Sequence, residues 1–348
     1  MSIEHKLGIH GSPTCVLSFG EKHNVDNNGA IGWLVGDEFT GMANMFTMMN
    51  NARLSVGLQG LSMAEMAYQH SLAYAHQRLQ GTAPGAERGV QSAIVEHPDV
   101  RRMLMTQRSW IDAMRYLMYF NGAMLDRSRS SDAEVAEWST RLAALLIPMS
   151  KSIGADVGNE LTSMALQIFG GMGYVEETGA SQYMRDIRIA AIYEGTNGIQ
   201  GQDLVMRKLG GDAGSTVNTF LDGFDDTIAR LAADSSTATF AAQLTSSFGD
   251  ARRASDWLNN ADSTIDKLGG ATPYTRLLGT ALAGALCGKA LLAAKAHLDA
   301  GELGGADRAF YEGKIVNARF FGEQILPATS GLAVTVMAGS ADLFAVDL

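Results

Sequence analysis

From Phe39 onward, apolar residues recur at three- and four-residue spacing: Met42, Met45, Phe46 and Met49, then Leu54, Leu58 and Leu61. Residues so spaced share one face of a helix. The pattern predicts a first long helix over about 39–80, ended by Gly81 and the Pro84-Gly85 loop. A second is predicted from about Pro98, a favourable first-turn residue, to about Arg127, and a third from about Asp132 to Phe169 with a kink at Pro148. A short helix should begin just after Glu194 and run to about Leu209, where Gly210-Gly211 stops it. These four are read as one bundle, with their Met and Leu side chains as its core.

After Gly210-Gly211 the periodicity restarts, with helices expected at about 215–233, 236–266, 272–300 and 304–326, broken by Gly269-Gly270, Gly301 and Gly304-Gly305. The tail from Ser330 is alanine-rich and keeps a helical period. Residues 1–36 differ. Cys15 to Phe19 and Ala30 to Val35, separated by Gly20 and the polar cluster Asn24 to Gly29, read as strands joined by a turn. So few strands cannot bury a face unless something covers them.

Composition narrows the function classes. The 348 residues are 46% hydrophobic and 18% charged, enough material for a sizeable core in two or three compact units. A formal charge of −10 without Lys/Arg runs argues against nucleic acid or anionic membrane as a partner. Cys15 and Cys287 lie far apart, with no His or Cys at ligand spacing, so neither a disulfide framework nor a metal site is suggested. A reducing, cytoplasmic setting is expected. No signal core is visible at the N-terminus, and no segment is expected to offer the roughly 18 uninterrupted apolar residues of a spanning helix.

Two motifs carry the chemistry. In Arg185-Asp186-Ile187-Arg188-Ile189-Ala190-Ala191-Ile192-Tyr193-Glu194-Gly195-Thr196-Asn197-Gly198-Ile199-Gln200, a single carboxylate stands between an apolar run and a turn. Such junctions hold a reacting side chain while leaving it accessible. Upstream, Gln167-Ile168-Phe169-Gly170-Gly171-Met172-Gly173-Tyr174 is a glycine-dense turn that lets a flat or phosphorylated ligand approach the backbone. In order and spacing, the two motifs together resemble the acyl-CoA dehydrogenase family.

The resemblance implies an FAD-dependent α,β-dehydrogenation of an acyl-CoA thioester to the trans-2-enoyl-CoA. It makes Glu194 the base for the α proton, with the β hydride passing to flavin N5. Abstraction beside a carbonyl needs a carboxylate tuned by an apolar site. The resemblance makes Gly195 a substrate contact whose backbone N–H meets the thioester carbonyl, a bond that strengthens as charge develops on that oxygen. Gln167, Gly170 and Gly171 resemble adenine- and pyrophosphate-side flavin contacts, and Thr196 with Gly198 a further cofactor-touching segment. Arg78, in Ala73-Tyr74-Ala75-His76-Gln77-Arg78-Leu79-Gln80-Gly81, is similar to an arginine that contacts the flavin pyrophosphate of a neighbouring subunit, with Arg88 as its rival. A guanidinium suits paired phosphate oxygens. Arg53 resembles the arginine lining the acyl-CoA channel, and reads equally as a salt-bridged core residue. His97 falls where further flavin contacts occur, although a helix-entry histidine explains it as well.

The implied fold is mainly α: the end of a small β domain over 1–36, a flavin-binding four-helix bundle over 37–211, and a C-terminal helical extension over 212–348. Lys6 to Thr14 resembles a late β-domain run, so the chain is expected to begin inside that domain and to read as a fragment of a longer enzyme. Electron-transferring flavoprotein is the implied electron acceptor, and a homo-oligomer the implied assembly. The aromatic that the family places before Gly81 is missing. The insertion after Arg78 and the extension look like members acting on long-chain or sulfur-containing short acyl-CoAs. An acyl-CoA oxidase, or a helical interaction protein that holds no flavin alone, are the alternative readings.

Overall fold

The computed structural model describes residues 2–20, 29–301 and 304–347. Three long helices, α1 (Gly41–Gln77), α2 (Pro98–Arg127) and α3 (Ala133–Phe169), pack side by side. Their limits follow the apolar period to within a few residues, and α3 runs on through Pro148. At the start of α3, Asp132 accepts from the N–H groups of Glu134 and Val135, which would otherwise lack partners. Glycines set how closely α1 meets α3: a Cβ on Gly60 would overlap the Gly154 carbonyl, and one on Gly158 would lie 2.9 Å from Gly60 Cα. The core beside this seam is closed by Ile111, Met114, Leu146 and Met149, none of them exposed.

Short helices follow: α4 (Ala180–Ile187) and α5 (Asn197–Asp203), the latter widening into a π turn over Leu204–Leu209. The stretch expected over 215–233 is two helices, α6 (Ser215–Asp222) and α7 (Asp225–Ala232), because Gly223-Phe224 breaks it. Then come α8 (Ala238–Asn260), α9 (Thr264–Asp299), α10 (Gly305–Phe320), which ends in a π turn over Phe321–Ile325, and α11 (Ala328–Val336).

The glycine pair Gly269-Gly270 was expected to break a helix, yet α9 runs through it. A Cβ on Gly270 would sit 2.9 Å from the Val336 carbonyl, so Gly270 admits α11, and Gly269 faces Ser340 and Leu343 just beyond it; neither ends α9. Ser263 caps α9 by accepting from Asp266 N–H. This helix also bears on the expectation about apolar length, since charged residues such as Arg276 and Lys289 interrupt its apolar run. One 18-residue window of it has a mean hydropathy of 1.7, enough in length and composition to cross a membrane, but 78% of that window is buried. Tyr274, Leu277, Leu278 and Leu291 are fully enclosed, which is how the core helix of a bundle looks.

The second half is tied to the first by polar as well as apolar contacts. Buried Asp112 on α2 accepts from Lys314 at 2.6 Å and Asn317 at 2.9 Å, both on α10. The Trp110 ring meets Phe321 edge-on at 4.9 Å and carries the Arg276 guanidinium 5.1 Å above its centre.

The strands expected near the N-terminus are not formed among the described residues; a single antiparallel bridge joins Ile3 and Cys15. Most of the turn expected between them falls on residues 21–28, outside the described residues. Phe19, Ile31 and Trp33 are each about four-fifths exposed. Residues of high strand propensity stay irregular when no neighbouring strand takes up their backbone groups. What orders the segment is local: Ile9 N–H donates to Asp186 Oδ1 at 2.6 Å, and Gly8 lies flat against the Arg185 backbone, where a Cβ would be 2.7 Å from the carbonyl carbon.

Candidate active site

Glu194 sits at the end of the irregular segment between α4 and α5, with its backbone in the left-handed region at φ +56°, followed by Gly195 at φ +80°. A non-glycine residue there costs about 1–2 kcal/mol and needs outside support. Gln200, fully buried on α5, supplies it: its Nε2 donates to the carbonyls of Glu194 at 3.4 Å and Gly195 at 3.3 Å. Thr196 caps α5, its Oγ1 accepting from Ile199 N–H at 3.2 Å. On the other side Tyr193 donates its hydroxyl to Gln59 Oε1 on α1. The turn is therefore held by both flanking helices while Glu194 keeps part of its surface open.

Arg53 of α1 approaches from beneath. It is 6% exposed, 3.9 Å from Asp203 Oδ2, and its guanidinium lies 5.9 Å from the centre of the Phe46 ring. A Cβ built on Gly195 would lie in ordinary contact with Arg53 Nη2, at 3.8 Å, and 2.8 Å from the amide end of Gln200, and the left-handed backbone at φ +80° strains any side chain placed there. The Nε of Arg53 is buried with no hydrogen-bond partner among the described residues. Deeper, the enclosed Lys151 of α3 donates to Asn197 Oδ1 at 2.7 Å, and Asn197 donates to Asp156 Oδ1 at 2.6 Å. Burial holds the Lys151 ammonium down at about 8; Asp156 and Glu194 oppose that fall and Arg53 adds to it. Burial likewise pushes the Asp156 carboxyl up, against the Asn197 hydrogen bond.

A cavity of about 460 Å³ opens where α1 ends and α3 gives way to the glycine turn, lined by Tyr74, Arg78, Gln80, Phe169, Gly170 and Gly171 among others. Gly170 has φ +59°, and nothing lies within 4 Å of where a Cβ would stand on it or on Gly171, so their backbone faces open space. The Tyr74 and Phe169 rings are 4.6 Å apart. The Arg78 guanidinium donates to Gln80 Oε1 at 3.2 Å and has no carboxylate partner among the described residues.

The family model described as "Acyl-CoA dehydrogenase, C-terminal domain" matches residues 40–209, and "Acetyl-CoA dehydrogenase C-terminal like" matches 220–347. The chain belongs to the acyl-CoA dehydrogenase family. It is 37% identical to a 3-methylmercaptopropionyl-CoA dehydrogenase of Ruegeria pomeroyi, over 94% of this chain and 54% of that protein. To a butyryl-CoA dehydrogenase of Syntrophomonas wolfei it is 34% identical, over 99% of this chain and 57% of that protein. The chain thus spans little more than half the length of these curated relatives. In fold it is similar to an acyl-CoA dehydrogenase of Bacillus anthracis solved with FAD, at a TM-score of 0.71 and 18% identity, over all of this chain and 57% of that one.

Within this family member the expected site residues fall in two places. Arg78, Gly170 and Gly171 share the cavity at the end of α1, while Arg53, Glu194 and Gly195 share the turn before α5. The two places have no lining residue in common. Gln167 is exposed and lines neither; its carbonyl accepts from Gly170 N–H. Exposed Thr196 caps α5, and half-buried Gly198 lies in its first turn, away from the cavity of Arg78. The rival Arg88 is exposed in the loop after α1, apart from both places. His97 bonds the Gln80 carbonyl at 2.8 Å, pinning the loop that carries Arg78. Lys151, Asn197, Asp156 and Gln200 belong to the site and were not expected. The available signal was that Lys151 is the one charged residue between Arg141 and Asp156.

Proposed function

We propose that this chain carries the base and much of the cofactor cradle of an FAD-dependent acyl-CoA dehydrogenase. The observation that carries the reading is Glu194 itself: a carboxylate held in a left-handed turn beside a glycine whose own left-handed backbone disfavours any side chain. Strained, supported backbone of this kind clusters at reacting groups. Glu194 takes the α proton of the acyl thioester. The Gly195 N–H is the group that meets the thioester oxygen, and Arg53 beneath it supplies positive charge where the enolate forms.

The residues present fit FAD. Arg78 is a guanidinium without a carboxylate partner among the described residues, beside bare backbone at Gly170 and Gly171 and an aromatic wall of Tyr74 and Phe169. Arg78 would hold the pyrophosphate, Gln167, Gly170 and Gly171 the adenine and pyrophosphate sides, and Thr196 with Gly198 the part nearest the base. When bound, FAD supplies acceptance of the β hydrogen with its electron pair. Because the Arg78 cavity and the Glu194 turn share no residue, a cofactor reaching both is best served by two copies of the chain, so a homo-oligomer is part of the reading. Electron-transferring flavoprotein is the proposed acceptor. The names of the two curated relatives support a short acyl-CoA as substrate.

The test is the visible spectrum of the purified chain after FAD addition and desalting, followed by anaerobic titration with acyl-CoAs from butyryl to palmitoyl and methylthiopropanoyl. Retained flavin that bleaches with one of them, and stays oxidised in Glu194→Gln, is the expected result. Flavin that bleaches equally in Glu194→Gln refutes the assignment of the base. Failure to retain flavin refutes the reading for this chain on its own.

A further inference from the structure

Lys151 is enclosed on every side and its ammonium donates a single hydrogen bond among the described residues, although it carries three donors. Burying such a charge opposes folding unless it is well paired. A methionine of similar length would fill the same space without that penalty, so the reason for the charge lies in what it holds. It holds Asn197. With its oxygen on Lys151 and its amide on Asp156, the Asn197 side chain has one orientation that satisfies both neighbours.

Asn197 is the first residue of α5, and α5 presents Gln200 to the carbonyls of Glu194 and Gly195. A continuous link therefore runs from the α3 ammonium through the first turn of α5 to the strained turn. The far side of the link is closed by α9. Asp156 and Asn197 face Thr272, Thr275 and Arg276 across a space of only about 10 Å³. Gly201 lies against the α9 backbone, where a Cβ would stand 3.0 Å from the Ala271 carbonyl carbon.

We infer that Lys151 is a positioning residue for Glu194: acting through Asn197 and α5, it holds the Glu194-Gly195 turn in its left-handed form, and α9 seals that link from water. The catalytic consequence rests on Glu194 being the base, whereas the holding of the turn does not.

The decisive experiment is hydrogen–deuterium exchange on the full chain without ligand, comparing wild type with Lys151→Met, Asn197→Ala, the double variant and the exposed α9 control Lys289→Met. Lys151→Met should keep its melting temperature or gain, while amides 195–203 exchange roughly tenfold faster or more. Asn197→Ala should speed exchange of the same amides to the same extent while lowering the melting temperature, because it leaves the buried ammonium and Asp156 without that partner; the double variant should add nothing to the exchange, and Lys289→Met should leave the segment unchanged. Unaltered exchange in Lys151→Met, or a double variant equal to the sum of the two singles, overturns the inference. If Lys151→Met fails to fold, unaltered exchange in Asn197→Ala overturns it. In flavin-loaded protein, Lys151→Met should lower kcat roughly tenfold with KM held within about threefold. A turn that loosens in a protein whose wild type reduces flavin with no acyl-CoA sinks the base and leaves the link standing. A wild type that turns over, with a variant equal to it in both rate and exchange, sinks the link alone.

Discussion

Replacing Lys151 by methionine should change how stability depends on pH. In the folded protein, burial holds this ammonium at about 8, against its usual 10.5 in an open chain. Between those values the unfolded chain binds the proton and the folded one does not, so stability rises with pH across that window. The slope is about 1.4 kcal/mol per pH unit, and the full cost of the buried charge, present below pH 8, is about 3 kcal/mol. From about pH 7 to 9.5 the wild type should therefore regain about 2 kcal/mol that Lys151→Met never loses. Urea unfolding of both proteins across that range, analysed with a common slope against denaturant, gives the difference directly; groups shared by the two cancel. The variant should be the more stable at pH 7, less the contribution of the lost Asn197 bond, and the two curves should converge as pH rises. A flat difference would show that the charge is not held at a cost, and the reasoning from burial would fail.

Other outcomes follow from single contacts. Gly60→Ala forces a methyl into the Gly154 carbonyl across the α1–α3 seam, with backbone on both sides unable to yield; a loss of about 3 kcal/mol or more in denaturant unfolding is expected. Asp112→Ala leaves Lys314, 14% exposed, without its carboxylate and should cost about 3 kcal/mol; limited proteolysis should then release α10 first. Arg78→Ala should weaken FAD retention roughly 10- to 100-fold, as measured by equilibrium dialysis, while the melting temperature of the FAD-free protein stays unchanged. Retention equal to wild type would remove Arg78 from the cradle.

The long helices were legible because an apolar period of three to four residues is a local property, and α2 begins at Pro98 and ends at Arg127 as that period and its punctuation require. Glycine was less legible, since its meaning depends on what stands opposite. Gly210-Gly211 does follow the close of the wound segment after α5, whereas Gly270 admits Val336 from a helix more than sixty residues away in sequence. The N-terminal segment has the residue types of strands, but strand formation depends on a partner, and Phe19 and Trp33 remain in solvent instead.

The site divides along the same line. Glu194 and Gly195 stand in one contiguous motif and could be read directly. Lys151, Asp156 and Asn197 become neighbours only when α3 packs against α5, and nothing in a lone lysine on an apolar helix says whether it reaches solvent or ends against an amide. The two departures from local preference then explain each other. A glutamate in left-handed backbone and a charge sealed in the core each oppose folding alone, and they are joined through one asparagine and one glutamine. Sequence rules are expected to fail where function requires it. Here the failure at position 151 maintains the failure at position 194, which places the origin of the turn's geometry in the core of the bundle rather than in the loop that displays it.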